Sequence, residues 1–119
     1  IFSPCALGSI LDDSTIARLR VSVIAGAANN QLAEDRHAEA LAARDIVYAP
    51  DFVINAGGVI SGSVALLDET QDDMVRRVDG IYDTTSEVLE DAARERITTL
   101  HAAERRAEMR LANARKDNR

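Results

Sequence analysis

The chain has 119 residues, 46% of them hydrophobic and only 3% aromatic, with a formal net charge of −6. A chain of this length can bury about two-thirds of its unfolded surface, while its acidic balance argues against general nucleic-acid binding. Cys5 is the single cysteine and excludes an internal disulfide; no apolar stretch is long enough to span a membrane, so a soluble, reducing, cytoplasmic setting is expected.

Charge is unevenly distributed. Residues 67–100 hold ten acids and four bases, whereas 101–119 hold three acids and six bases. The basic tail reads as a solvated helix end, where cations suit the helix dipole.

In chain order, Ile1–Ser3 reads as the end of a strand stopped by Pro4, which cannot donate to a central ladder. Asp12, Asp13 and Ser14 are capping residues for a short helix over about 14–20. Val21–Ala25 is a β-branched apolar run that breaks at Gly26 into small residues and the amides Asn29 and Asn30, the pattern of a buried parallel strand and its loop. A helix is expected over about 34–44, then a strand at 46–49. Pro50 and Asp51 interrupt that strand, and Phe52–Ile54 is expected to resume an extended approach to Asn55. A helix should start at Gly57 or Val59 and run to about Leu67.

The strongest helix signal covers about 71–95. Thr70 with Asp73 makes a capping-box-like start, and Met74, Val75, Val78, Ile81, Tyr82, Thr85, Val88, Leu89 and Ala92 recur at three- and four-residue steps. Thr98 or Thr99 caps a last helix, with Leu100, Ala103, Ala107, Leu111 and Ala114 as one stripe. Alternation of strands and helices implies an α/β fold with a parallel sheet. The one architectural boundary lies near Asp68–Gln71, between a compact α/β unit (1–69) and a helical segment (70–119).

Catalytic groups are scarce. His37 and His101 read as surface residues, Cys5 as a small buried thiol, and the pairs Asp12–Asp13 and Asp72–Asp73 as helix starts; no metal set is expected. Gly57–Gly58 lacks the G-x-G-x-x-G dinucleotide pattern, so it reads equally as a tight turn. The amides carry more weight. Asn29, Asn30 and Asn55 stand at two predicted strand ends, where ligands bind in open α/β sheets. An asparagine both donates and accepts, so such a site could hold a carboxamide or amino-acid group without adding charge; the alternative is that each is a turn or cap.

Three segments carry a resemblance: Pro4-Cys5-Ala6-Leu7-Gly8, Ala25-Gly26-Ala27-Ala28-Asn29-Asn30-Gln31-Leu32, and Tyr48 through Ile60. Together with Gly80-Ile81-Tyr82-Asp83-Thr84 they resemble the amino-acid dehydrogenases of the leucine, phenylalanine and valine group across nearly the whole chain. The resemblance implies the second half of a Rossmann-type nucleotide-binding domain with a helical C-terminal tail, packing on it or on an N-terminal domain absent here. It also implies reversible NAD-dependent oxidative deamination of an apolar L-amino acid to a 2-oxo acid and ammonia. By motif, Ala6, Leu7, Ala27, Ala28 and Asn29 would bind the cofactor. Asn29, Asn55, Gly57, Gly58, Val59 and Gly62 would face the substrate.

The catalytic lysines and aspartate, the phosphate loop and the ribose-binding acid would lie upstream, so no catalytic residue is assigned here. The 119 residues alone are expected to be inactive, and the full-length protein to be a homo-oligomer. Two departures from the family pattern stand out: Ser9 where a glycine is common, and Gly62 where leucine-type enzymes place a branched residue. Two other readings are a non-catalytic association module and a remote glutamate-dehydrogenase-like enzyme. The latter would call for a basic residue near Val59, and none is there.

Overall fold

The computed structural model describes residues 1–64 and 66–117. Helices outweigh strands in an α/β arrangement. Element order is α1 (Asp13–Arg18), β1 (Val23–Ile24), α2 (Arg36–Ala42), β2 (Val47–Tyr48), α3 (Asp51–Ile54), α4 (Gly57–Ser63), α5 (Gln71–Glu95) and α6 (Thr99–Asp117).

The two strands pair in parallel, with Val23 opposite Val47 and Ile24 opposite Tyr48. Phe2 extends the ladder on the other side of β1: its N–H donates to Val23 O at 2.9 Å, and Ala25 N–H donates to Phe2 O at 3.0 Å. The parallel order is therefore Phe2, β1, β2, with all three chain directions ending at one edge. The strands are shorter than the apolar runs that announce them, because pairing stops where the loops turn away.

A first core cluster of Leu11, Ile16, Ile24, Leu41, Ile46 and Tyr48 joins α1 and α2 to the strands. Leu11, Ile24 and Leu41 are fully buried, each worth about 1.5–3 kcal/mol of transfer free energy. Asp12 caps α1, its carboxylate accepting Thr15 N–H at 2.7 Å. His37 belongs to this region and corrects the surface reading. It is 1% exposed, with Nδ1 accepting the Glu34 N–H at 3.0 Å and Nε2 lying 3.4 Å from Asp13. The alternating alanines and charges around it conceal that it faces inward on a short helix.

The segment Asp51–Ile54 is a helical turn, not the extended approach expected from its apolar run. Pro50 is the N-cap and Asn55 the C-cap, with Asn55 N–H donating to Asp51 O at 2.9 Å. A polar tether at Asp51 holds this turn, and Phe52 is left exposed. Helix α4 ends at Ser63, short of Leu67; Ala65 lies outside the described residues.

Helix α5 matches its sequence signal. Thr70 and Asp73 form a full capping box, with Thr70 N–H donating to Asp73 at 2.9 Å and Asp73 N–H donating to Thr70 Oγ1 at 3.2 Å. The helix turns at Arg96, which adopts a left-handed conformation (φ 56°). Helix α6 then folds back on it, burying Val88, Ala92, Ala102 and Ala103, with Val53 and Ile97 packed alongside. Thr98 opens α6 by accepting the His101 N–H at 3.2 Å, and Thr99 Oγ1 donates to Tyr48 O at 2.5 Å. That last bond ties the helical segment to the end of β2. His101 is exposed, as its sequence context suggests.

Candidate functional site

Three loops leave the same edge of the parallel strands: residues 4–9, 25–30 and 49–55. The first two are held together by backbone. Ala28 N–H donates to Pro4 O at 2.9 Å, Ser9 N–H to Asn30 O at 2.6 Å and Leu11 N–H to Gln31 O at 2.9 Å. Gly26 is required by this approach, since a Cβ there would lie 2.1 Å from Pro4 O and 2.5 Å from Pro4 N. Gly8 is similarly confined, since a Cβ there would lie 2.7 Å from Asn29 O. Ser9 and Asn30 take up positive φ (55° and 52°) to make the turns. Asparagine tolerates this conformation readily; serine does so at some cost, at the position where glycine is common in the resembled family.

The amides of two loops meet. Asn55 Nδ2 donates to Asn29 Oδ1 at 2.6 Å and lies 3.4 Å from Ala27 O as a second acceptor. Among the described residues, Asn29 Nδ2 and Asn55 Oδ1 have no protein partner. The pair thus presents one donor and one acceptor outward with no net charge. Ala6, Leu7 and Ala27 are exposed around it, while Ala28 turns inward.

Two residues that sequence reasoning missed hold these loops. Gln31 is fully buried, and its Nε2 donates to Gly26 O at 2.7 Å and Ala28 O at 2.9 Å, bracing the loop from within. Asp51 is 9% exposed. Its carboxylate accepts the Asn30 N–H at 2.5 Å and the Tyr48 hydroxyl at 3.0 Å. Burial pushes the Tyr48 hydroxyl well above its ordinary range, so it stays protonated and donating. An aspartate directly after a proline at a strand end was the available signal, and it reads locally as a helix start.

Cys5 is exposed, which corrects the buried-thiol reading; its neighbour Pro4 is the buried residue. The Ala27 backbone N–H, then the Ser3 hydroxyl 3.3 Å away, hold the thiol below its usual range. Gly57 and Gly58 follow Asn55 into α4, and Val59 is 78% exposed. A Cβ at Gly57, Gly58 or Gly62 would meet nothing within 4 Å, so close packing inside this chain explains none of these glycines. No set of three or more metal-ligating side chains occurs among the described residues, and no helix there is long and apolar enough to cross a membrane.

Parallel strands whose loops converge on an uncharged amide pair define a ligand-binding edge of the α/β class. The chain belongs to the glutamate/leucine/phenylalanine/valine dehydrogenase family, whose model matches residues 1–119. It is 51% identical over 116 residues to the leucine dehydrogenase of Thermoactinomyces intermedius, covering 98% of this chain and 32% of that protein. It is 43% identical over 111 residues to the phenylalanine dehydrogenase of Caldalkalibacillus thermarum, covering 93% and 30%. The crystal structure of L-tryptophan dehydrogenase from Nostoc punctiforme superposes with a TM-score of 0.90 at 44% identity, over 97% of this chain and 34% of that one. The chain spans about a third of the length of the relatives it matches.

Proposed function

We propose that this chain supplies the nicotinamide side of the active-site cleft in an L-amino-acid dehydrogenase. The longer enzyme performs reversible NAD-dependent oxidative deamination of an apolar L-amino acid to a 2-oxo acid and ammonia. In this reading residues 1–69 are the second half of a Rossmann-type domain. Residues 70–119 are its helical tail, packing on it or on an N-terminal catalytic domain. The observation that carries the reading is the Asn29–Asn55 contact at the edge where parallel strands end.

The donor set fits the cofactor. A nicotinamide carboxamide both donates and accepts, as the outward Asn29 Nδ2 and Asn55 Oδ1 do. Ala6, Leu7 and Ala27 offer apolar contacts to a flat ring, with Ala28 turned inward behind them, and Asn29 also faces the substrate. Once bound, the cofactor supplies the two-electron acceptor for the substrate amine carbon. The chain's own part is orientation: the amide pair fixes the approach, and Gly57, Gly58, Val59 and Gly62 shape the substrate side. Lysine and aspartate groups for proton transfer come from outside this chain, whose only lysine is Lys116.

The test is Asn29→Ala in the complete enzyme. Loss of an orienting amide should lower kcat/KM by about 10²-fold, equivalent to about 2–3 kcal/mol, with folding little changed. An unchanged kcat/KM in a purified, folded variant would remove Asn29 from the site.

A further inference from the structure

Asp51 is a carboxylate taken out of water in a strand-end region where an apolar or neutral side chain would be easier to bury. Its contacts explain why it is there. The side chain reaches across to the 25–30 loop, accepting the Asn30 N–H at 2.5 Å, and down to β2, accepting the Tyr48 hydroxyl at 3.0 Å. Its own N–H lies 3.3 Å from the same hydroxyl, and its carbonyl accepts the Asn55 N–H at 2.9 Å. One residue therefore holds the backbone on both sides of the amide pair: the neighbour of Asn29 through its side chain, and Asn55 through its main chain.

We propose that Asp51 is a positioning residue for the deamination reaction, setting the separation of the two loops so that Asn29 and Asn55 meet. The proposal rests on the reading of that amide pair as part of the active site. Asn30 sits in the left-handed region with φ 52°, a conformation that a strong acceptor on its N–H keeps in place. Without the carboxylate, the only side-chain ties left between the 25–30 loop and the 49–55 loop, among the described residues, are those of Asn55 to Asn29 and Ala27. Asp51 touches neither substrate nor cofactor in this scheme. It acts through Asn29.

The experiment is a double-mutant cycle in the complete enzyme, with kcat and KM measured well below the melting temperature of each variant. Asp51→Ala should lower kcat/KM about tenfold or more alone, but less than about threefold when Asn29 is already alanine, because the residue it positions is gone. Asp51→Asn, which retains an acceptor for the Asn30 N–H, should recover most of the activity. Tyr48→Phe is the milder arm if Asp51→Ala does not fold; it should lower kcat/KM about threefold in the native background and leave Asn29→Ala unchanged. A purely architectural role predicts the same factor in both backgrounds, and that result overturns the proposal. An Asn29→Ala enzyme with native kcat/KM overturns the site reading itself, and the positioning role with it.

Discussion

Gly26→Ala and Gly62→Ala should move stability in opposite directions. At position 26 the added Cβ would stand 2.1 Å from Pro4 O, 2.5 Å from Pro4 N and 2.6 Å from Pro4 Cδ, against an ordinary contact of 3.4–4 Å. Pro4 is buried, its carbonyl accepts the Ala28 N–H, and Phe2 beside it is laddered to β1. Relief therefore requires backbone to move by about an ångström, giving up one hydrogen bond worth about 1 kcal/mol and an overpacking penalty of about 1–3 kcal/mol. The expected loss is about 2–4 kcal/mol, a large part of the stability of a small domain. At position 62 the new methyl meets open space on helical backbone with negative φ, so alanine should gain up to about 1 kcal/mol. Urea unfolding followed by far-ultraviolet circular dichroism reads both values. Gly26→Ala within about 0.5 kcal/mol of the parent would refute the close-approach argument. Destabilisation by Gly62→Ala would refute the statement that α4 leaves that position free.

Between α5 and α6, Asp91 accepts from Arg106 and Arg94, with Glu87, Glu95 and Arg105 completing the network. Arg106 first, then Arg94, hold the Asp91 carboxyl below its ordinary 3.8. A depressed folded pKa stabilises above the unfolded value and loses that effect as pH falls through the folded one. The melting-temperature advantage over Asp91→Asn should thus be level above about pH 5 and shrink below 3.8; an advantage that grows on acidification contradicts it. In the complete enzyme, Gly62→Val should shift kcat/KM toward smaller branched amino acids by about tenfold or more. Assays with valine, leucine and phenylalanine check this, and unchanged ratios would remove Gly62 from the pocket.

Legibility tracked how local each determinant is. Helix α5 is readable to its ends because its capping box and apolar stripe are written in consecutive turns. The strand-end amides are readable as a class, since small residues and asparagines follow β-branched runs. Their pairing is not, because it depends on β1 and β2 being neighbours, an arrangement that only the fold supplies.

 

What the fold supplies there is the 2.6 Å contact between Asn55 Nδ2 and Asn29 Oδ1. Three other features escape the sequence for the same non-local reason. Phe52–Ile54 reads as extended because its apolar run is visible, whereas the Asp51 contacts that coil it come from Asn30 and Tyr48. His37 reads as exposed because Asp13, 3.4 Å from its Nε2, lies on another helix. Cys5 reads as buried on residue type alone, yet Pro4 takes the interior position beside Gly26.

Helix α4 carries the remaining argument. Three of its seven residues are glycine, each less favourable than alanine in a helix by up to about 1 kcal/mol. Packing within the chain does not require them, since each has open space where a side chain would stand. None has positive φ, so backbone conformation does not require them either. Local rules broken without a local return fall at functional sites more often than elsewhere. These glycines begin two residues after Asn55, the residue that joins the amide pair, and Val59 among them is exposed. A helix kept bare so soon after a neutral donor–acceptor pair leaves room for something that is not part of this chain. Under the proposed function that occupant is the substrate side chain, and the size of the room is what Gly62→Val would change.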